Sequence, residues 1–229
     1  MSSAISTAVL LSTFTLTVSA ATPELKTDEQ RTLYAIGLAT SANLSGFSLS
    51  PAELELVKAG LTDGVLKNPP KLNLQGYMPK IEALHKTRLA KIVEREQRAG
   101  RAYADKAALE PGVSKLDSGI LYLTVTPGAG ESPTEDDTVR VRYEGKLVNG
   151  SEFDSSLTHG QAATVALDQV IPCWKVALQR MKVGEKVRLV CPSDTAYGER
   201  GLWPQVLPGA TLLFDVELLE VLKNPMPRS

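Results

Sequence analysis

The run Val139-Arg140-Val141-Arg142-Tyr143-Glu144-Gly145-Lys146-Leu147, followed by Asn149-Gly150-Ser151-Glu152-Phe153-Asp154-Ser155-Ser156, switches between apolar and charged residues with a period of two. Successive side chains of a strand point to opposite faces. Val139, Val141 and Tyr143 therefore share one face, and Arg140, Arg142 and Glu144 the other, as in a half-buried strand. Asn149-Gly150 then supplies a tight hairpin turn.

The same alternation recurs downstream, in Val187, Leu189 and Cys191 and in Leu212, Phe214, Val216 and Leu218. One short helix, about Pro172 to Met181, lies between these strands. The expected architecture of this half is α+β: an antiparallel sheet wrapped on one short helix, spanning residues 113–223.

Upstream, residues 24–110 read as an all-α domain. Thr27 with Gln30 forms a capping box, and Leu33, Ile36 and Leu44 follow at helical intervals. Ser50-Pro51-Ala52-Glu53 combines a capping serine, a proline at the first helical position and a glutamate three residues after the cap. Leu54, Val57, Leu61 and Val65 mark one face of that helix, which Asn68-Pro69-Pro70 ends. A long helix is expected from about Tyr77 to Leu109, with Leu89, Ile92, Ala99, Tyr103 and Ala107 as its apolar stripe and Pro111-Gly112 as its stop. The stripe is thin and Glu96 interrupts it. Helices with so little apolar surface make a poor isolated core, which a second copy of the chain would complete as a homodimer. The plainer alternative is a solvated connector.

Residues 1–20 carry no charged side chain, have an apolar run at Ala8-Val9-Leu10-Leu11, and end in Val18-Ser19-Ala20. They are expected to be a cleaved signal peptide, although the positive charge usual near its start is missing. The run is too short to span a bilayer comfortably, so no membrane span is expected after processing. The expected destination is outside the cytoplasm, in the periplasm. Cys173 and Cys191 in an exported chain tend to pair. Their spacing does not establish proximity, and two buried free thiols are the alternative.

Twenty-five basic against 26 acidic residues among 229 leave no excess charge for a nucleic-acid surface or a polybasic membrane patch. Two histidines and two cysteines are too few for the usual three- or four-ligand metal site, and no metal or cofactor is expected. There is no G-x-S-x-G elbow, and His159 sits in a polar Thr-His-Gly stretch that reads as a surface loop. Gly128-Ala129-Gly130 and Gly198-Glu199-Arg200-Gly201 read as turns rather than phosphate cradles. What remains is aromatic: Tyr143, Phe153, Trp174, Tyr197 and Phe214 are five of the twelve aromatic residues. By periodicity alone most of them read as core, and nothing in the spacing brings them to one cleft.

The strand–turn segment resembles the V-x-Y-x-G-x-L … G-x-x-F-D-S-S motif of FKBP-type prolyl isomerases. Val170-Ile171-Pro172-Cys173-Trp174, Met181-Lys182-Val183-Gly184-Glu185-Lys186, Ala196-Tyr197-Gly198 and Thr211-Leu212-Leu213-Phe214-Asp215 match the family in order and spacing over about residues 115–222. The helical half more loosely resembles the dimerisation domain of the Mip- and FkpA-like secreted members. The resemblance implies a pocket with Trp174 as floor and Tyr143, Phe153, Val170, Ile171, Val206 and Phe214 as walls. The Ile171 N–H and the Tyr197 hydroxyl would donate to bound carbonyls, and Asp154 would be the polar group beside the chemistry. It further implies proline-containing unfolded or exported polypeptides as partners, and macrolide ligands of the family in the same pocket. Three departures stand out. Ala163 replaces a further aromatic wall, Leu202 and Trp203 replace polar or glycine-rich loop residues, and Cys173 holds a position that is often glycine.

The chemistry suits such a site. An X–Pro amide rotates over a barrier of about 18–20 kcal/mol because resonance makes its bond partly double. The planar form is the more dipolar, and water favours it. A dry pocket removes that preference, and fixed donors can hold the rotated carbonyl, so no nucleophile is required. The second reading is a binding module that grips unfolded chains as a chaperone, with little dependence on catalysis.

Overall fold

The computed structural model describes residues 24–158 and 160–223; the expected signal peptide and His159 lie outside them. The chain divides into two units, the first ending at Ala39 and the second beginning at Thr40. Helix α1 (Asp28–Ser41) starts at the expected box: Gln30 N–H donates to Thr27 Oγ1 at 3.2 Å and Thr27 N–H to Gln30 Oε1 at 3.1 Å. None of its residues is buried.

In the second unit, the 3₁₀ turn Ala42–Phe47 precedes α2 (Pro51–Val65). The Ser50–Glu53 capping box is formed in full. Arg88 ties the segment to α3 (Met78–Ala107) by donating to the Phe47 carbonyl at 2.8 Å and pairing with Glu53. The inward seam of α3 runs through Ile92, Val93, Gly100 and Ala107, while the expected Ala99 is exposed. Val93 and Gly100 are two helical turns apart, and that spacing keeps both on the side facing the protein. At Gly100 a Cβ would come within 2.0 Å of Thr211 Oγ1, and at Gly209 within 2.9 Å of the Val93 carbonyl oxygen. Close backbone approach is thus what both glycines provide.

The sheet has seven antiparallel strands: β1 (Ser114–Lys115), β2 (Leu121–Thr126), β3 (Thr138–Leu147), β4 (Glu152–Ser155), β5 (Ala163–Ala166), β6 (Lys186–Cys191) and β7 (Leu212–Leu222). Their order is β1-β2-β6-β7-β3-β4, with β5 also on β3. β3 thus carries β7 along one edge and β4 and β5 in succession along the other. Its predicted inward residues Val139 and Val141 are wholly buried, and the predicted turn closes with Gly150 at φ 87°. Helix α4 (Pro172–Leu178) buries Cys173, Trp174, Ala177 and Leu178 in the core shared with Val139, Val141, Leu189, Leu212 and Leu218. Cys173 and Cys191 form a disulfide. Among the described residues, no helix is long and apolar enough to cross a membrane.

Candidate functional site

The register of β3 explains why the aromatic residues meet. Gly145 is opposite Asp154 on one side and Phe214 on the other. A Cβ at Gly145 would lie 2.8 Å from Phe153 Cζ and 3.0 Å from Phe214 Cε1, so the missing side chain makes room for both rings. Trp174 projects from the first turn of α4 and meets Tyr143 at 5.1 Å and Phe214 at 5.3 Å between ring centroids. Phe214 meets Phe153 at 5.7 Å, and all three contacts are edge-to-face. Such pairs place the positive edge of one ring on the negative face of the next, which fixes orientation as well as contact.

These rings surround a cleft of about 260 Å³, lined by Tyr143, Phe153, Asp154, Val165, Gln169, Val170, Ile171, Trp174, Tyr197 and Phe214. Nine of the eleven residues singled out by the sequence are thereby placed: eight line the cleft, and Cys173 is buried in the core as the neighbour of Trp174 in α4. Val206 does not line the cleft; it is 1% exposed within the same core, in a loop that the reciprocal Leu202–Val206 backbone pair closes. Cys191, also buried, ends β6. Val165 and Gln169 were not anticipated. For Val165 the signal was the short β-branched run Thr164-Val165, too brief for its alternation to stand out; Gln169, in the 3₁₀ turn Leu167–Gln169, carried none.

The polar groups are few. Tyr143 donates its hydroxyl to Asp154 Oδ2 at 2.7 Å. Its backbone is fixed by Ser156, which accepts from the Tyr143 N–H at 3.0 Å and donates from both its hydroxyl and its own N–H to the Tyr143 carbonyl. Burial, then the hydrogen bond to Asp154, pushes the Tyr143 phenol well above its ordinary range. Burial, then the nearby Asp154 charge, likewise raises Tyr197. Both phenols are consequently held in the protonated, donating form. Among the described residues the Tyr197 hydroxyl has no hydrogen-bond partner, whereas the Trp174 Nε1 is fully buried and also unpartnered. An available donor on a largely apolar wall is suited to a ligand carbonyl.

Size does not single this cleft out. A groove beside α2 is roomier, at about 720 Å³, but leucines, small residues and the polar Asp63, Lys67, Asn68 and Lys71 line it, without any aromatic ring.

Residues 129–219 match the family described as FKBP-type peptidyl-prolyl cis–trans isomerase, and residues 29–123 match the domain amino-terminal to it. The chain is 36% identical to the isomerase FkpA of Escherichia coli over 217 residues, 89% of this chain and 79% of that protein. It is 33% identical to the isomerase Mip of Coxiella burnetii, with 91% and 93% covered. It is 31% identical to the outer membrane protein MIP of Legionella longbeachae, with 95% and 97% covered. The crystal structure of E. coli FkpA superimposes with a TM-score of 0.65 at 33% identity, covering 88% of this chain and all of that one.

Proposed function

Because the chain belongs to the FKBP-type peptidyl-prolyl cis–trans isomerases, we propose that the aromatic cleft between β3, β4, α4 and β7 is where it turns the X–Pro bond. The chain is an isomerase and binds proline-containing polypeptides. In this proposal the proline ring rests on Trp174 between Tyr143, Phe153, Val170, Ile171 and Phe214. The Ile171 N–H and the Tyr197 hydroxyl hold the two carbonyls, and Val206 backs the wall from within the core. Asp154, through its bond with Tyr143, sets the field at the rim. Desolvation lowers the preference for the dipolar planar amide, and the fixed donors stabilise the rotated carbonyl. The observation that carries this is the Tyr197 hydroxyl, without a hydrogen-bond partner among the described residues, on the wall of a cleft lined mainly by aromatic and aliphatic side chains. A protease-free assay of proline-peptide isomerisation tests it. Catalysis lost on Tyr197→Phe plus Trp174→Phe supports the assignment; full activity in that double variant rejects it.

The macrolide ligands of the family are proposed to occupy the same cleft and to compete with peptide. The periplasm is the proposed compartment: residues 1–20 read as an export signal, the cysteines are paired, and one relative is by name an outer membrane protein. Recovery of mature protein beginning at Ala21 supports it; mature protein that retains Met1 counts against it.

A second reading is supported by the helical segment, proposed as a dimerisation domain over residues 24–110. Leu33, Tyr34, Ile36 and Leu38 of α1, and Leu54, Leu61 and Val65 of α2, are exposed. That much apolar surface suits a homodimer and a chaperone-like grip on unfolded chains alongside catalysis.

A further inference from the structure

We propose that the Cys173–Cys191 disulfide is a positioning clamp for the cleft, holding the wall that carries Ile171 and Trp174 against the wall that carries Tyr197. The inference rests on the cleft being the isomerase site, and it concerns a bond whose residues do not themselves touch the substrate.

Each sulfur sits close, along the chain, to one of the two donors. Cys173 is the second residue of α4, a helix of only seven residues; Ile171 is its N-cap and Trp174 the residue after the cysteine. So short a helix has little internal stability of its own and takes its orientation from its attachments. Ile171 is bound into its first turn, its carbonyl accepting from Lys175 N–H at 3.1 Å. On the other side, Cys191 is the last residue of β6, opposite Leu212 of β7. Beyond it the chain enters the 3₁₀ turn Ser193–Thr195. Thr195 returns its N–H and hydroxyl to the Pro192 carbonyl at 2.9 and 2.8 Å, and Ala196 and Gly198 both donate to the Ser193 carbonyl at 2.9 Å. Tyr197 lies between those last two donors. Its position therefore follows that of Cys191 with little slack.

The bond joins these two hydrogen-bonded pieces directly, at a Cα–Cα distance of 5.7 Å. Among the described residues no hydrogen bond joins α4 to the Tyr197 segment, so without the disulfide side-chain packing would hold the two together. Packing resists separation, but it tolerates sliding more than a covalent link does. Both cysteines are wholly buried, so a reductant reaches the sulfurs only after local opening. The clamp is accordingly a permanent part of the site rather than a switch.

The test compares two double variants of the full-length protein, Cys173→Ala/Cys191→Ala and the better-filling Cys173→Ala/Cys191→Val, with wild type and with Ile92→Ala. Ile92 is buried on α3 and does not line the cleft, so its truncation destabilises without altering either donor. With a proline tetrapeptide at low temperature, kcat should fall about tenfold in both cysteine variants with KM little changed. Donor misplacement of less than an ångström is enough for a loss of that order. Ile92→Ala should keep wild-type kcat while folded. Wild-type kcat in either folded cysteine variant overturns the proposal and leaves the disulfide a stabiliser only. Failure of both variants to fold also overturns it, because the bond's role is then the fold itself. Failure of the site assignment would look different: Tyr197→Phe plus Trp174→Phe would leave activity intact with the disulfide still in place.

Discussion

Tyr143 meets Trp174 with its ring and Asp154 with its hydroxyl, so one side chain joins the apolar and polar parts of the cleft. Substitutions here should separate by what they remove. Trp174→Ala deletes a ring that is 6% exposed and should destabilise the protein by about 3–5 kcal/mol, read from urea unfolding. Tyr197→Phe and Asp154→Ala remove polar atoms only. They should leave the unfolding midpoint nearly unchanged and lower kcat/KM by at most about a hundredfold, the scale of one neutral or charged hydrogen bond. The pH dependence follows from the direction of the tyrosine shifts. A phenol raised by burial loses its proton only above its ordinary range, so both hydroxyls keep donating throughout neutral pH. Activity should be nearly flat between about pH 6 and 8. A profile following a carboxylate, or complete inactivity of folded Asp154→Ala, would overturn the dry-pocket account.

Helix α3 and the segment leading into β7 are fitted together without side chains at the points of closest approach, Gly100 on Thr211 and Gly209 on Val93. Gly100→Val forces these elements apart. It should cost about 1–3 kcal/mol, the usual scale of overpacking, measured by chemical denaturation. A neutral result would mean that α3 is free to move away from the sheet.

The end of β7 is held differently. Lys223 pairs at 2.9 Å with Asp137, a carboxylate 3% exposed that also accepts from the Thr134 N–H and hydroxyl. Burial raises the Asp137 pKa, but the bonds from Thr134 and Lys223 outweigh it and hold the group at about 2, below its ordinary 3.8. With the folded value the lower one, the ionised group's contribution is complete above pH 3.8 and is lost as pH falls through about 2. Asp137→Asn should therefore lower Tm at neutral pH, and its difference from wild type should shrink across that acidic window. A difference independent of pH would assign the effect to shape rather than charge.

For the molecule as a whole, the uneven distribution of apolar surface is what matters. Among the large apolar side chains of α1, Leu33 and Ile36 are 61% and 58% exposed, whereas the sheet side of the chain encloses a continuous core. Sedimentation should give twice the chain mass. Leu33→Glu plus Ile36→Glu should yield monomers with unaltered turnover of short peptides, because neither residue lines the cleft. Those monomers should protect an unfolded chain from aggregation less well. A double variant that remains dimeric would place the interface elsewhere.

The features legible in the sequence were those set by neighbours along the chain. The Ser50–Glu53 box and the Thr27–Gln30 box each need only four consecutive residues to form, and the β3 alternation states which face is buried without naming what covers it. The family motifs brought the site residues within reach as a set, but the local patterns did not bring them together. Tertiary structure decided that Val165 and Gln169 line the cleft while Val206 lies beneath it, that Gly100 rather than Ala99 faces the protein, and that Tyr143 reaches Asp154. It also decided that Cys173 and Cys191 meet. The reason is common to all of these. Each depends on strand register and on the angle at which a helix crosses the sheet, and those are settled by long-range pairing and close packing rather than by periodicity along the chain.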